Sequence, residues 1–391
     1  MNIVVFSTAF LPAFAHGGVP YAAYYLCEAL KRRGHEVSVV TSDLNWNRKL
    51  DVEKDQWTQF CGIPVAYCTT YVKPYIFAPS MGRIVKSLGS NVDIIVSAGT
   101  FWNYPFVLAH RLAQKANVPH VVYPHGLFEP WALRHHSLRK KAFYWLGHRR
   151  LIQKSSAIVA LNAQEKQSIE AFEPAIPVSI IPNGVSADSN CSILLRSQLT
   201  TLFPCLGTSK YAIFMSRIAE LKGVTFLIRV WAELNARPES RLVLCGPAEE
   251  AYMVECKKLI RELDIKDRVL FLGTVTGEAK ALLLKFAECL VLPSYSEGFP
   301  MAVLEALAYG TPAIITPECN FSEIQTNRAG AVLARREQDW VTELNHIMSN
   351  KNYRDSLAVN TKFVEKYSWA SVAEETERLF YALREDNRSC I

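Results

Sequence analysis

The chain of 391 residues contains no Asp-x-Asp pair, so a carboxylate clamp for a divalent cation on a diphosphate has no support in the sequence. Its ten cysteines form no CxxC and no Cys/His spacing suited to a metal. Cys27, Cys245 and Cys289 lie inside apolar runs and read as small core residues, so a reducing cytoplasm is the simplest compartment. No apolar stretch is long enough to span a bilayer. The first charged side chain is Glu28, so nothing resembles the cationic start of a secretory leader. Pro12 also interrupts the apolar run before Ala13-Phe14-Ala15, which mimics a cleavage site but is expected to remain uncut. No repeat or low-complexity tract appears. The excess of 43 basic over 37 acidic residues is too mild to imply nucleic acid; it fits a phosphate-bearing substrate or a loose contact with anionic lipid.

What is present is two series of α/β patterns on a chain too long for one ordinary core. Asn2 to Ser7 reads as a buried parallel strand, followed by Gly17-Gly18 and a helix whose inner face carries Val19, Ala22, Ala23, Leu26, Cys27 and Leu30. Glu36 to Thr41 completes a βαβ unit, and strand-like runs recur at Asp93 to Ser97, His120 to Pro124, Ala157 to Ala160 and Val178 to Ile181. Asn45 to Trp57 lacks a period and reads as a rim loop. The first domain is placed at 1–185 and a polar, weakly patterned linker at 186–208. A second series fills 209–368, with strands at Tyr211 to Ser216, Arg241 to Cys245, Arg268 to Leu272, Cys289 to Leu292 and Ala313 to Thr316. Ser368 then starts a helix whose Trp369, Val372, Thr376, Leu379 and Leu383 share a face. The expectation is an α/β protein of two doubly wound, Rossmann-like domains facing across a cleft, with ligand at the carboxyl ends of the strands.

The most informative segment is Ser296 to Ala306, which puts Glu297 and Glu305 around a Gly298-Phe299-Pro300 turn between a strand and a helix. The proline suits the first helical turn, and the helix N-terminus can receive a diphosphate or sugar hydroxyls. Glu305, about two turns into the predicted helix, can accept hydrogen bonds from the vicinal hydroxyls of a ribose; Glu297, in the loop, is better placed for the hydroxyls of a transferred sugar. Arg217 and Lys222 flank one loop at a strand end, as two fixed cations would for a diphosphate. Each motif alone has a plain reading, an exposed basic loop or a solvated glutamate. A glycosidase pair fits less well, because two acids on one loop and its helix do not oppose each other across a bond.

In the first domain, Gly17 and Gly18 allow a backbone approach to phosphate. His125, at a strand end beside Gly126, is the histidine chosen for contact with a sugar hydroxyl or a reacting group. The basic and aromatic run Arg134 to Lys154 can touch anionic membrane, although a core-packing helix with a solvated basic face is the preferred reading.

Taken in order, these residues resemble the signature of retaining GT-B glycosyltransferases of family 4, the glycosyl transferases group 1. The match runs through Gly17-Gly18, Arg33-Gly34-His35-Glu36-Val37, His125-Gly126, Pro182-Asn183-Gly184-Val185, Arg217 with Lys222-Gly223, Cys245-Gly246-Pro247, Phe271-Leu272-Gly273, Pro293 to Ala306, Gly310-Thr311-Pro312 and Trp369. The resemblance implies a nucleotide-sugar donor on the second domain, an acceptor mainly on the first, and a last helix, 369–391, that crosses back to the first. It assigns the donor to Gly17, Gly18, Arg217, Lys222, Val275, Glu297, Gly298, Phe299, Pro300, Met301 and Glu305, with His125, Glu297, Arg217 and Lys222 as the catalytic set. His16, Trp131 and Arg134 are assigned to the acceptor. The loop reads Glu-Gly-Phe-Pro where Glu-x-Phe-Gly is commoner, which leaves the donor sugar open. The His125 to Ala132 stretch is similar to a subgroup of bacterial polysaccharide assembly.

The expected activity is retaining transfer of a hexosyl group from a UDP- or GDP-sugar to a saccharide or lipid-linked saccharide, in the cytoplasm or at the inner membrane face, with no cofactor and no obligatory metal. A GT-B-fold sugar-nucleotide epimerase, a phosphorylase and a non-catalytic sugar-nucleotide or glycan-binding protein are the alternatives.

Overall fold

The computed structural model describes all residues except 89–90, 100–102, 129–148, 174, 187–193, 235–238, 358–360 and 390–391. The chain forms two compact units, Met1–Gly184 with Trp369–Ile391, and Val185–Ser368.

The first unit is built on an eight-stranded sheet. Its strands are β1 (Asn2–Ser7), β2 (Glu36–Ser42), β3 (Trp57–Phe60), β4 (Ile63–Cys68), β5 (Ile94–Ala98), β6 (His120–Tyr123), β7 (Ala157–Ala160) and β8 (Val178–Ile180). The spatial order is β8-β7-β6-β5-β1-β2-β4-β3, parallel throughout except for β3. Ile3, Val4, Ile94 and Ile95 are fully buried, as unalternating aliphatic strands covered on both faces should be. The β3–β4 hairpin begins at Trp57, where the expected rim loop ends, and is not among the expected strands. Cys61 (φ 48°) and Gly62 (φ 76°) make its two-residue turn, which needs two left-handed residues.

The last helix, Trp369–Ser389, packs within this unit. Trp369, Val372, Ala373, Thr376 and Phe380 are buried, whereas Leu379 and Leu383 are half-buried. The seam therefore differs from the expected one: Leu379 lies about 80° from Trp369 around the helix, at the margin of the stripe. Trp369 stacks on Tyr25 with centroids 5.9 Å apart. A Cβ on Gly184 would lie 2.5 Å from the Trp369 ring, so only glycine fits there. Glu377 pairs with Arg33 and with His35, the latter at 2.9 Å, and Arg384 meets Asp93 at 2.6 Å.

The second unit holds a six-stranded parallel sheet of β9 (Tyr211–Met215), β10 (Arg241–Cys245), β11 (Val269–Gly273), β12 (Cys289–Leu292), β13 (Ala313–Ile315) and β14 (Gly330–Val332), ordered β11-β10-β9-β12-β13-β14. Helices Val224–Glu233, Glu250–Glu262, Gly277–Lys285 and Met301–Ala308 follow successive strands. The expected linker is in part a piece of this unit: Arg196–Leu202 is helical, and Leu199 and Leu206 enter its core. Those two leucines supply an apolar anchor that the polar composition around them masked.

Strand order reverses between β1 and β5 in the first sheet and between β9 and β12 in the second. Loops diverge from such a point and leave a crevice at the carboxyl edge.

Candidate functional site

In the second sheet the crevice is framed by the loop after β9, which carries Arg217 and Lys222, and the loop after β12, which carries Ser294 to Gly298. The loops interlock closely. Gly223 is left-handed (φ 67°), and a Cβ there would sit 2.3 Å from the Pro293 carbonyl oxygen. Lys222, only 7% exposed, points its Nζ at Glu297 Oε1 at 2.6 Å. The Ser294 hydroxyl donates to the same oxygen at 2.8 Å.

The backbone of Glu297 is held as firmly as its side chain. Its N–H donates to the Glu318 carbonyl at 3.1 Å, and its carbonyl accepts from Asn320 Nδ2 at 2.8 Å. Beneath it, burial and then the Glu297 charge push the Cys319 thiol up to about 12, so that thiol stays protonated.

Phe299 packs its ring on Phe321 and Tyr367, at 5.6 and 6.1 Å, and Pro300 is buried. Their side chains anchor the turn, and Gly298 is half-buried beside them. Pro300 precedes the helix, which starts at Met301, so Glu305 lies just over one turn in, closer to the N-terminus than the spacing predicts. Its Oε1 meets Lys280 Nζ at 2.6 Å. Lys280 extends from the helix that follows the Gly273–Thr276 loop, where Val275 is half-buried against the core. Arg217 Nη1 lies 3.6 Å from Glu249 Oε1.

In the first unit, Gly17 (φ 75°) precedes the Gly18–Arg32 helix, and a Cβ there would meet nothing within 4 Å. The space beside that backbone is open. His16 Nε2 accepts the Trp46 N–H at 2.9 Å, which orients its ring. His125 follows β6 in a left-handed conformation (φ 51°), and its Nδ1 is shut from solvent with no hydrogen-bond partner among the described residues. With Tyr123 it borders an enclosed apolar cavity lined also by Val5, Ala22, Cys27, Trp369 and Phe380. Burial lowers its pKa to about 4, so the ring is neutral near pH 7.

The turn after His125 is held by a residue the sequence reading missed. Glu165 is fully buried, and its two oxygens accept the N–H groups of Gly126 at 2.6 Å and Leu161 at 2.8 Å. Burial raises its pKa to about 7, against the lowering effect of those two bonds. Trp131, Arg134 and most of the basic run lie outside the described residues. Lys280, Asn320 and Glu165 were missed because each acts through a contact distant in the chain, whereas Ser294, three residues before Glu297, lay within the quoted motif without being given a role. Asn162, which caps the Ala163–Phe172 helix three residues before Glu165, was the nearest local signal.

The comparisons with known proteins identify the family and the fold. The model for glycosyl transferases group 1 matches residues 205–363, and that for glycosyltransferase family 4 matches 16–189. An uncharacterized glycosyltransferase of Methanocaldococcus jannaschii is 24% identical over 379 residues, 93% of this chain and 94% of that one. A D-inositol 3-phosphate glycosyltransferase of Corynebacterium aurimucosum is 26% identical over 242 residues, and the match spans 59% of this chain and 58% of that one. Among solved structures, Anabaena HepE in complex with UDP-glucose matches 98% of this chain and 100% of its own, with a TM-score of 0.76 and 18% identity. WaaG, a glycosyltransferase involved in lipopolysaccharide biosynthesis, matches 97% of this chain and 99% of its own, with a TM-score of 0.72 and 16% identity. No helix among the described residues is long and apolar enough to cross a membrane. The fold is GT-B, and the chain belongs to the group 1 glycosyltransferases of family 4, a family of sugar-transferring enzymes.

Proposed function

We propose that this glycosyltransferase moves a hexosyl group from a UDP- or GDP-sugar to a saccharide or lipid-linked saccharide, with retention at the anomeric carbon and without an obligatory metal. The observation that carries the reading is the Lys222–Glu297 contact at 2.6 Å, which joins a cation and a sugar-binding carboxylate at the switch point of the second sheet. Arg217 and Lys222 take the diphosphate and Glu305 takes the ribose hydroxyls beside Lys280. Glu297 takes hydroxyls of the sugar, and Gly298 to Met301 offer backbone. A protein of the same fold crystallised with UDP-glucose supports a nucleotide-sugar donor, and WaaG supports a glycan acceptor in cell-envelope synthesis.

In this reading the bond between the anomeric carbon and the diphosphate oxygen breaks through an oxocarbenium-like state. The acceptor oxygen bonds to the same face, and its proton passes to the departing diphosphate. The two cations stabilise the charge that grows on that leaving group. His125, neutral and fixed by its turn, accepts or donates one hydrogen bond near the sugar without changing charge. Trp131 and Arg134 remain acceptor candidates.

The test is proton NMR of the first product formed from a UDP- or GDP-sugar, with and without EDTA. Retained anomeric configuration at an EDTA-insensitive rate supports the reading; inverted product or loss of turnover on chelation overturns it. Epimerised donor without transfer would favour the epimerase alternative.

A further inference from the structure

The loop that carries Glu297 is gripped from outside by one arginine. Arg335, just beyond β14, makes three hydrogen bonds through its guanidinium. Nη1 donates to the Ser294 carbonyl at 2.9 Å and to Glu318 Oε2 at 3.0 Å, and Nη2 donates to Glu318 Oε1 at 2.9 Å. The same group lies over the Tyr295 ring, 4.1 Å from its centroid. Glu318 accepts the Glu297 N–H on its own carbonyl, and Asn320, left-handed at φ 56°, turns its amide onto the Glu297 carbonyl. Arg335 and the 318–320 segment therefore fix the carbonyl of Ser294, the ring of Tyr295 and both backbone polar groups of Glu297.

This clip is poorly explained as a stabilising device. The Arg335 side chain is 20% exposed and that of Glu318 is 43% exposed, and an ion pair open to water at its carboxylate end contributes modestly to folding. Its geometry is nonetheless specific: a planar fork on a carboxylate with an aromatic ring against its face, which lysine cannot reproduce. The geometry points to Arg335 as a positioning residue that keeps the Ser294–Glu297 loop in its donor-competent conformation. It acts through the loop and does not touch the donor. A loop that spends part of its time elsewhere weakens apparent affinity in proportion to the competent fraction that remains. The inference rests on the reading of Glu297 as a ligand of the donor sugar.

Calorimetric titration separates the two. A nucleotide sugar that binds the wild type, UDP-glucose or GDP-mannose, and its sugar-free diphosphate are titrated into the full chain and into Arg335→Ala, Arg335→Lys and Lys222→Ala. In Arg335→Ala the nucleotide sugar is expected to weaken about tenfold and the free diphosphate less than about twofold. Arg335→Lys should fall closer to alanine than to wild type, and both should melt within about 2 °C of wild type, as loss of a pair open to water at its carboxylate end allows. Wild-type affinity for the nucleotide sugar, an equal loss for both ligands, or a melting temperature lowered by more than about 5 °C overturns the assignment. If Lys222→Ala loses both ligands while Arg335→Ala loses neither, only this inference fails. If Lys222→Ala binds both as wild type does, the donor-site reading itself fails.

Discussion

Lys222 Nζ and Glu297 Oε1 lie 2.6 Å apart, and they belong to loops that leave β9 and β12 on opposite sides of the point where strand order reverses. Both side chains are nearly buried, 9% and 13% exposed, so removing either leaves the other short of a partner. Lys222→Ala is expected to lower donor turnover by about two to three orders of magnitude, the usual cost of losing a preorganised group at a developing charge. Glu297→Gln keeps the Ser294 contact but leaves Lys222 without its counter-charge, so it too should lose activity and melt lower. Turnover and melting curves on the purified variants check this.

His125 combines a left-handed backbone with a neutral, buried ring. His125→Asn eases the backbone, because asparagine tolerates that region, whereas alanine bears the same Cβ penalty of about 1–2 kcal/mol that histidine already pays. Both variants should lose activity by at least about tenfold, as loss of a positioned polar group does, while the asparagine variant should be the more stable of the two. A pKa near 4 further predicts that wild-type activity shows no inflection from His125 between pH 5 and 8. The rate profile across that range is the measurement.

Glu165 should govern how stability changes near neutrality. Its folded pKa of about 7 lies above the usual carboxylate value, so the native state holds a proton that the unfolded chain has already released. The stabilisation is full at acid pH and is lost as pH rises through about 7, with a limiting slope of about 1.4 kcal/mol per unit. Glu165→Gln removes this component. Between pH 5 and 8 the wild-type melting temperature should therefore fall relative to that of the variant. A constant difference would refute the assignment.

Much of this fold is legible in the chain. Runs such as Asn2 to Ser7 and Cys289 to Leu292 are unalternating and punctuated by glycine and proline, so local pattern and final structure coincide. The β3–β4 hairpin was not legible, because β3 is only partly buried and its turn is Cys-Gly where Asn-Gly is the stronger signal. At the site, Glu297, Glu305 and the basic loop stand out by type and spacing. Their partners do not: Lys280 meets Glu305 across 25 residues, and Asn320 meets Glu297 across 23. Such pairings exist only once the sheet has brought the loops together.

The last helix carries a prediction of its own. Trp369 stacks on Tyr25, covers Gly184 and lines the cavity beside His125. Trp369→Ala should cost about 3–5 kcal/mol, as for other large buried aromatics, and truncation before it would remove Val372, Ala373 and Phe380 and expose the surface they cover. Chemical denaturation of the variant reads the first effect, and recovery of soluble truncated protein reads the second.

The central claim is that the carboxyl edge of the second sheet binds the donor diphosphate through Arg217 and Lys222 and its ribose through Glu305. Calorimetric titration of UDP and GDP into wild type, Arg217→Ala, Lys222→Ala and Glu305→Ala tests it most directly. The account predicts that one diphosphate binds the wild type and that each substitution weakens it by at least about tenfold, the scale of a charge-assisted contact. Wild-type affinity in all three variants would contradict it.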